Sequence, residues 1–388
     1  MSQFDEVIPR LGTNSAKWDG VKNVFGSEGI IPMWVADMDF KAPKPVLDAL
    51  KKQSDHGIFG YTNDSKKAKE AIIHWNQMRH QFTIPEEAIL LNTAVVPSIS
   101  LAIRALTNES DSILMHSPIY PPFFKVAQET KRNIVKSPLR YQDQRLFIDI
   151  EDMERKIKTE NVKLFLLCNP QNPGSRVWDK EELQQIVDLC KKYQLPIVSD
   201  EVHADLVMKG KKHRPLAALA PEYQDQMITL MAPSKTFNLA ALKVSYLIIT
   251  NPEYRKLFEA KQTYIHAAEI NIFGLVGMEA AYNEGVHWLD ELRDYLYENY
   301  QYVKAELKTY APAVSVTKFE ATYLLWLDVR KIDKDERTLY QDIIHAGCGV
   351  QMGSNFGKEG TGFIRVNIAC PRETLKAGIA ALIDGINH

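Results

Sequence analysis

The sequence predicts an α/β protein, with a large domain on a mostly parallel sheet and a smaller α+β domain after it. Three observations carry that reading. From about residue 48 to about 285, short apolar runs alternate with longer helical patterns, as strand–helix repeats on a parallel sheet do. Polar residues follow several of those runs, where open α/β sheets bind ligands. From about residue 286 the pattern becomes one long amphipathic segment, two strands and a final helix. The 388 residues thus divide into an arm (1–47), a large domain (48–285) and a small domain (286–388).

The arm is rich in Pro, Trp and Asp. Lys66–Lys69 reads as a solvated helix start. Ala88–Leu91 is a strand, followed by a turn and the helical PSISLAIRAL. Ser112–Met115 is a strand that leads into SPIYPPF. Lys163–Cys168 leads into Asn169-Pro170-Gln171-Asn172-Pro173. Asp179 and Glu182 then form a capping-box pattern for a helix with Leu183, Ile186, Val187 and Cys190 on one face. Leu195–Ser199 is a strand ending at Asp200. Met227–Met231 and Val244–Ile249 are two further buried strands. Residues 287–310 form a long helix, TYLLWLDV and GFIRVNIA are strands, and TLKAGIAALIDGI closes the chain as a helix.

Composition excludes some classes. At 45% hydrophobic and 25% charged with a net charge of −2, the chain shows no basic footprint for nucleic acid. No segment approaches the roughly 18 apolar residues of a membrane span. The four cysteines include no Cys-x-x-Cys pair, and a chain of this length does not need disulfides. The opening residues carry no apolar signal core. A cytoplasmic protein is the expectation.

Lys235 lies in MAPSKTFNLAALK, on a short connection between two core strands. Burial and nearby cations would lower its pKa and make the amine a nucleophile; alternatively it snorkels into water. Asp200 ends a buried strand, so its carboxylate needs a partner such as a protonated pyridine nitrogen, or else it caps a helix near Glu201. His203 lies three residues on. Asn172 sits in a Pro-flanked turn that is either punctuation or a fixed amide for a ligand oxygen. Asn92-Thr93, His116-Ser117, Asn169, Asp200 and Lys235 are expected to converge on one sheet edge. Thr93–Ser98 supplies a helix N-terminus for a phosphate. By alternation Phe363, Arg365 and Asn367 share a strand face. Arg365 there suits carboxylate capture, or is an exposed sheet-face arginine. Asp37 and Asp39 are either a metal pair or part of an arm near the substrate entrance.

Taken in order, the Tyr120 segment, Asn-Pro-x-Asn-Pro, Ser-Asp-Glu-x-His-x-Asp, Ser-Lys-Thr-Phe-Asn and Gly-Phe-x-Arg resemble fold-type I pyridoxal-phosphate enzymes, the aspartate aminotransferase superfamily. IPMWVADMDF, SPIYPPFF, SDEVHADL and SKTFNLAALK look like the MalY/PatB-type cystathionine β-lyases, or cysteine-S-conjugate β-lyases. The resemblance implies pyridoxal 5′-phosphate bonded to Lys235, with Asp200 at its ring nitrogen. Asn172 and His203 would lie near its phenolic oxygen, and Tyr120 would stack on the ring. Ala94, Val95, Ser234 and Lys243 would hold the phosphate, with Tyr61 reaching from the other subunit of a homodimer. Arg365, with Asn172, would bind the carboxylate of a small amino-acid substrate. The implied reaction is β-elimination to a thiol, pyruvate and ammonia, with an aminotransferase on the same scaffold as the alternative. Two positions depart from the family pattern. Ser175 costs something if φ is positive there, and Ala94 stands where glycine is frequent.

Overall fold

The computed structural model describes residues 2–62, 65–266 and 269–388. Seven strands form the main sheet: β1 (Ile89–Asn92), β2 (Ser112–Ser117), β3 (Asn133–Pro138), β4 (Val162–Cys168), β5 (Ile197–Asp200), β6 (Met227–Met231) and β7 (Ser245–Ile248). Their spatial order is β1-β7-β6-β5-β4-β2-β3. Only β7 runs against the rest, pairing antiparallel with both β1 and β6. Register aligns the functional strand ends: Cys168 lies opposite Asp200, and Asp200 opposite Leu230.

Strand alternation sorts the core into two layers. Ile113, Met115, Leu164, Leu166, Val198 and Ile228 face one way, packed with Ile99, Ala102 and Ile103 of helix α1 (Val95–Leu106). Leu114, Phe165, Leu167, Ile197 and Met227 face the other way. There they meet Leu183, Ile186, Val187 and Cys190 of helix α2 (Lys180–Lys192), whose capping box between Asp179 and Glu182 is formed. A sheet covered on both sides explains the near-continuous apolar runs.

The C-terminal region carries helix α4 (Val286–Tyr310) and an antiparallel sheet of β8 (Ser315–Val316), β9 (Leu324–Asp328), β10 (Gln351–Met352) and β11 (Phe363–Asn367), in the order β8-β9-β11-β10. Helix α3, a single turn over Pro233–Thr236, lies between β6 and β7. The N-terminal segment is strapped to the C-terminal region. Ile31–Pro32 pairs with Cys348–Gly349, and Asn367 Nδ2 donates to the carbonyls of Val35 and Asp37, both at 2.6 Å.

One local expectation fails. No helix begins near Glu201; residues 202–205 form turns. Asp200 still accepts the Val202 N–H at 3.1 Å, but as a local turn and not as a helix cap. The reason lies in Glu201 and Asp205, which are buried and point inward. Glu201 is held by Ser199, His213 and the N–H of Leu216. Asp205 is held by Trp75, His80 and Thr236. Buried carboxylates need such partners, and meeting them precludes a regular helix.

Candidate active site

The ends of β4, β5 and β6 and the start of α1 open into a cavity of about 170 Å³. Ala94, Val95, Tyr120, Asn172, Asp200, His203, Ser234, Lys235 and Lys243 all line it. Arg365 adjoins it through Asn172, to whose Oδ1 its Nη1 donates at 3.0 Å. Ten of the eleven site residues picked out in the sequence therefore meet. Tyr61 does not: it lies on the outer surface, 96% exposed, outside its own chain's cavity.

The expected convergence of polar strand ends is only partial. Thr93, Asp200 and Lys235 reach the cavity, but Asn92, His116, Ser117 and Asn169 do not line it. His116 is buried against Phe165 and Trp178, and burial pushes its pKa down to about 3. Ser117 donates to Glu359. His116 and Ser117 are thus each committed to partners away from the cavity, on opposite faces of the same strand.

Electrostatics follow from burial. Burial raises Asp200 to about 7, helped by neighbouring Glu201 and opposed by the Val202 N–H and Lys235. Burial lowers Lys235 to about 8, assisted by the Arg365 charge and opposed by Asp37 and Asp200. Burial, with Lys235 and Arg365, lowers His203 to about 3, which keeps it neutral. Arg365 is 3% exposed, so it is no sheet-face arginine. Burial brings it down to about 10, still charged at neutral pH. Its guanidinium sits 4.7 Å from the Phe356 ring centroid and donates to the Trp34 carbonyl and to Gln351.

These residues fit a pyridoxal phosphate on three structural grounds. Asp200 is a buried carboxylate with no cationic partner within ion-pair distance among the described residues, and a ring N–H would supply one. Nδ1 of His203 and Nε of Arg365 are buried and unpartnered among the described residues, which invites ligand oxygens. The N-terminus of α1 opens on the cavity, with the N–H groups of Val95 and Val96 ahead of Pro97. Ala94 caps that helix at φ −165°, an extended conformation open to any residue, so alanine costs nothing there. Ser175 does take φ +57°, so the condition under which serine carries a cost there is met. It is held by its hydroxyl on the Ala321 carbonyl.

Asp37 and Asp39 are not a metal pair. Arg10 binds both, Lys17 reaches Asp39 at 2.8 Å, and Trp18 Nε1 donates to Asp39. Among the described residues no group of three or more His, Cys, Asp or Glu could hold a metal. Sequence reasoning overlooked Ala36, Tyr323 and Gln351, whereas Phe356 lies in the loop 353–357 that the sequence marks, with the arm and the Tyr120 segment, as shaping side-chain selectivity. Ala36 stands inside the quoted IPMWVADMDF, and Tyr323 is the second residue of TYLLWLDV, a segment read only as a strand. The order of residues alone gave neither a role.

The fold and cavity define a class. The chain belongs to the aminotransferase class I and II family, which matches residues 29–382. Within it, the chain is 40% identical over 377 residues to cystathionine β-lyase PatB of Bacillus subtilis (strain 168), covering 97% of each. Its fold superposes on cystalysin from Treponema denticola, a structure that contains pyridoxal 5′-phosphate, with a TM-score of 0.96 and 32% identity over 100% of this chain and 99% of that one. The pyridoxal-phosphate-bound C–S lyase from Staphylococcus hominis gives a TM-score of 0.93 and 33% identity, covering 100% of this chain and 99% of that one. No helix among the described residues is long and apolar enough to cross a membrane.

Proposed function

We propose that this chain is a pyridoxal 5′-phosphate-dependent carbon–sulfur β-lyase that cleaves cystathionine or related cysteine S-conjugates. The observation that carries it is the joint placement of Lys235, Asp200 and Arg365 around one cavity, in a chain whose full-length relatives include named C–S lyases. When bound, the cofactor supplies an electron sink for the pair left by the broken Cα–H bond.

The chain's residues supply orientation and proton control. Arg365 and Asn172 bind the substrate carboxylate, using the guanidinium edge that includes the unpartnered Nε. Lys235, with a lowered pKa, is neutral in a useful fraction near neutral pH. Its Nζ takes the Cα proton as general base. With the cofactor bound, Asp200 would hold a proton on the ring nitrogen, and neutral His203 and Asn172 would lie near the phenolic oxygen. Tyr120, half-buried in the cavity wall, would stack on the ring. Ala94, Val95, Ser234 and Lys243 would receive the phosphate. The C–S bond then breaks with its electron pair on sulfur, and the three-carbon remainder hydrolyses to pyruvate and ammonia.

A homodimer in the cytoplasm completes the reading. Tyr61 is too exposed to serve its own cavity, and it would reach the phosphate of a second subunit. The deciding experiment supplies L-cystathionine without any keto acid. A lyase releases pyruvate and thiol steadily and in equal amounts. A single turnover followed by a stall would assign the aminotransferase alternative.

A further inference from the structure

Lys235 Nζ donates to the carbonyl oxygen of Ala36 at 2.6 Å. The same oxygen accepts the hydroxyl of Tyr323 at 2.9 Å. A carbonyl oxygen has two lone pairs, so the two donors occupy both. We propose that Tyr323 is a positioning residue: it fixes the Ala36 carbonyl as the resting acceptor of the Lys235 amine whenever that amine is not covalently engaged. The inference rests on the reading of Lys235 as the residue that carries the cofactor.

Both partners are held in place from other directions. Residues 34–38 form a strap whose carbonyls are taken up one by one. Arg365 bonds Trp34, Asn367 bonds Val35 and Asp37, and Asn238 bonds Met38. Ala36 is the member of the strap that lines the cavity, and its donors are Lys235 and Tyr323. Tyr323 is 1% exposed, and its own carbonyl accepts the Ile368 N–H at 2.9 Å. Its ring meets His203 nearly edge-on, with centroids 6.3 Å apart.

The residue before it is strained. Thr322 has φ +67°, a region that β-branched side chains rarely enter. It persists because the surroundings over-determine it. The Thr322 N–H donates to Leu206 at 2.7 Å, and its Oγ1 accepts the Leu324 N–H at 3.0 Å. An ordinary φ at Thr322 would turn the chain and aim the Tyr323 hydroxyl away from Ala36.

A tyrosine that merely satisfies the nearest carbonyl would predict no effect on Lys235. The charged groups that face Lys235 are Arg365, Asp37 and Asp200, with neutral His203 beside them. None of these changes in Tyr323→Phe, which keeps the ring and its packing. The measurement is the pH midpoint for pyridoxal phosphate uptake by the full-length cofactor-free chain, followed by the visible band. Uptake needs the neutral amine. A carbonyl acceptor favours the ammonium form. Without the Tyr323 hydroxyl the Ala36 carbonyl is no longer fixed on the amine, so the midpoint falls, by about one pH unit. A hydroxyl that only competes for that oxygen would make the midpoint rise on its removal, and a rise overturns the proposal. Tyr323→Met, which also lacks the hydroxyl, should give the same shift. Thr322→Gly keeps the hydroxyl and should leave the midpoint at the parent value even if the melting temperature falls. An unshifted midpoint in Y323F and Y323M overturns the proposal, and so does an equal shift in T322G. Uptake needs no carbon–sulfur chemistry. A parent that takes up cofactor but releases no pyruvate would sink the lyase reading and leave this test intact.

Discussion

Arg365 Nη1 donates to Asn172 Oδ1 at 3.0 Å, joining a strand of the small sheet to a loop of the large one across 193 residues. The contact pre-aims both groups at one place beside the cavity. Arg365→Lys loses the planar fork and should raise KM for L-cystathionine on the order of 30- to 100-fold, with a smaller effect on kcat. Asn172→Ala should raise KM by about tenfold. Steady-state kinetics decide it, and a kcat defect at unchanged KM would remove both from carboxylate binding.

Lys235→Ala removes the amine that carries the cofactor and moves the Cα proton. Turnover should fall by about 10³-fold or more, and the visible band of the protein-bound cofactor should vanish. Absorbance and pyruvate assays read the two effects separately. Parent-like turnover would mean that another group is the base.

Asp200 gives a pH signature in the cofactor-free protein. Burial holds its folded pKa, about 7, above the ordinary carboxylate value of 3.8. The native state therefore holds a proton that the unfolded state has released. That contribution favours folding below pH 4 and is lost as pH rises toward 7. Asp200→Asn should erase this slope and, near pH 7.5, stabilise the cofactor-free protein by on the order of 2–3 kcal/mol. With cofactor bound, the same variant should lose most turnover. Denaturant titrations at pH 4.5 and 7.5 test the sign.

Ser175 balances two effects. Its φ of +57° disfavours a side chain, while its hydroxyl bonds Ala321. Ser175→Gly gains backbone ease and loses that bond, so the net change should stay within about 1 kcal/mol. Ser175→Val adds β-branching at positive φ and should destabilise by about 2 kcal/mol or more. Thermal melts of both variants give the ordering.

Glu320 is buried among cations. Its side chain is 4% exposed and meets Arg176, Arg145 and Lys211. Its backbone N–H bonds Ser175 and its carbonyl accepts Met208. Glu320→Gln removes one of three carboxylates from the buried Arg176, which keeps Asp179 and Glu182, and should destabilise by about 1–2 kcal/mol. Chemical denaturation checks it.

Strand positions, the capping box at Asp179, and the two-layer core were legible because burial imposes periodicity on local sequence. Asp200, Lys235 and the helix start at Thr93–Ser98 were legible for the same reason, since strand ends and helix starts are local; Tyr120, Ser234 and Lys243 came only from the resemblance to a known family. Reading Asp200 as a helix cap failed because Glu201 and Asp205 are committed inward by Trp75, His80 and His213, far away in sequence. Tyr323 was passed over because a strand pattern says nothing about what a hydroxyl at its start will meet.

By itself the sequence determined the α/β class, the strand that ends in Asp200, the connection that carries Lys235 and the strand that carries Arg365. Each follows from the short-range spacing of apolar and polar residues. Only the tertiary structure decided that Arg365 meets Asn172, that Lys235 rests on Ala36, and that Asp37 and Asp39 serve Arg10, Lys17 and Trp18. Those pairings are set by how sheets and strap pack. They cost chain entropy over long separations and are fixed by the burial of charges that must find partners.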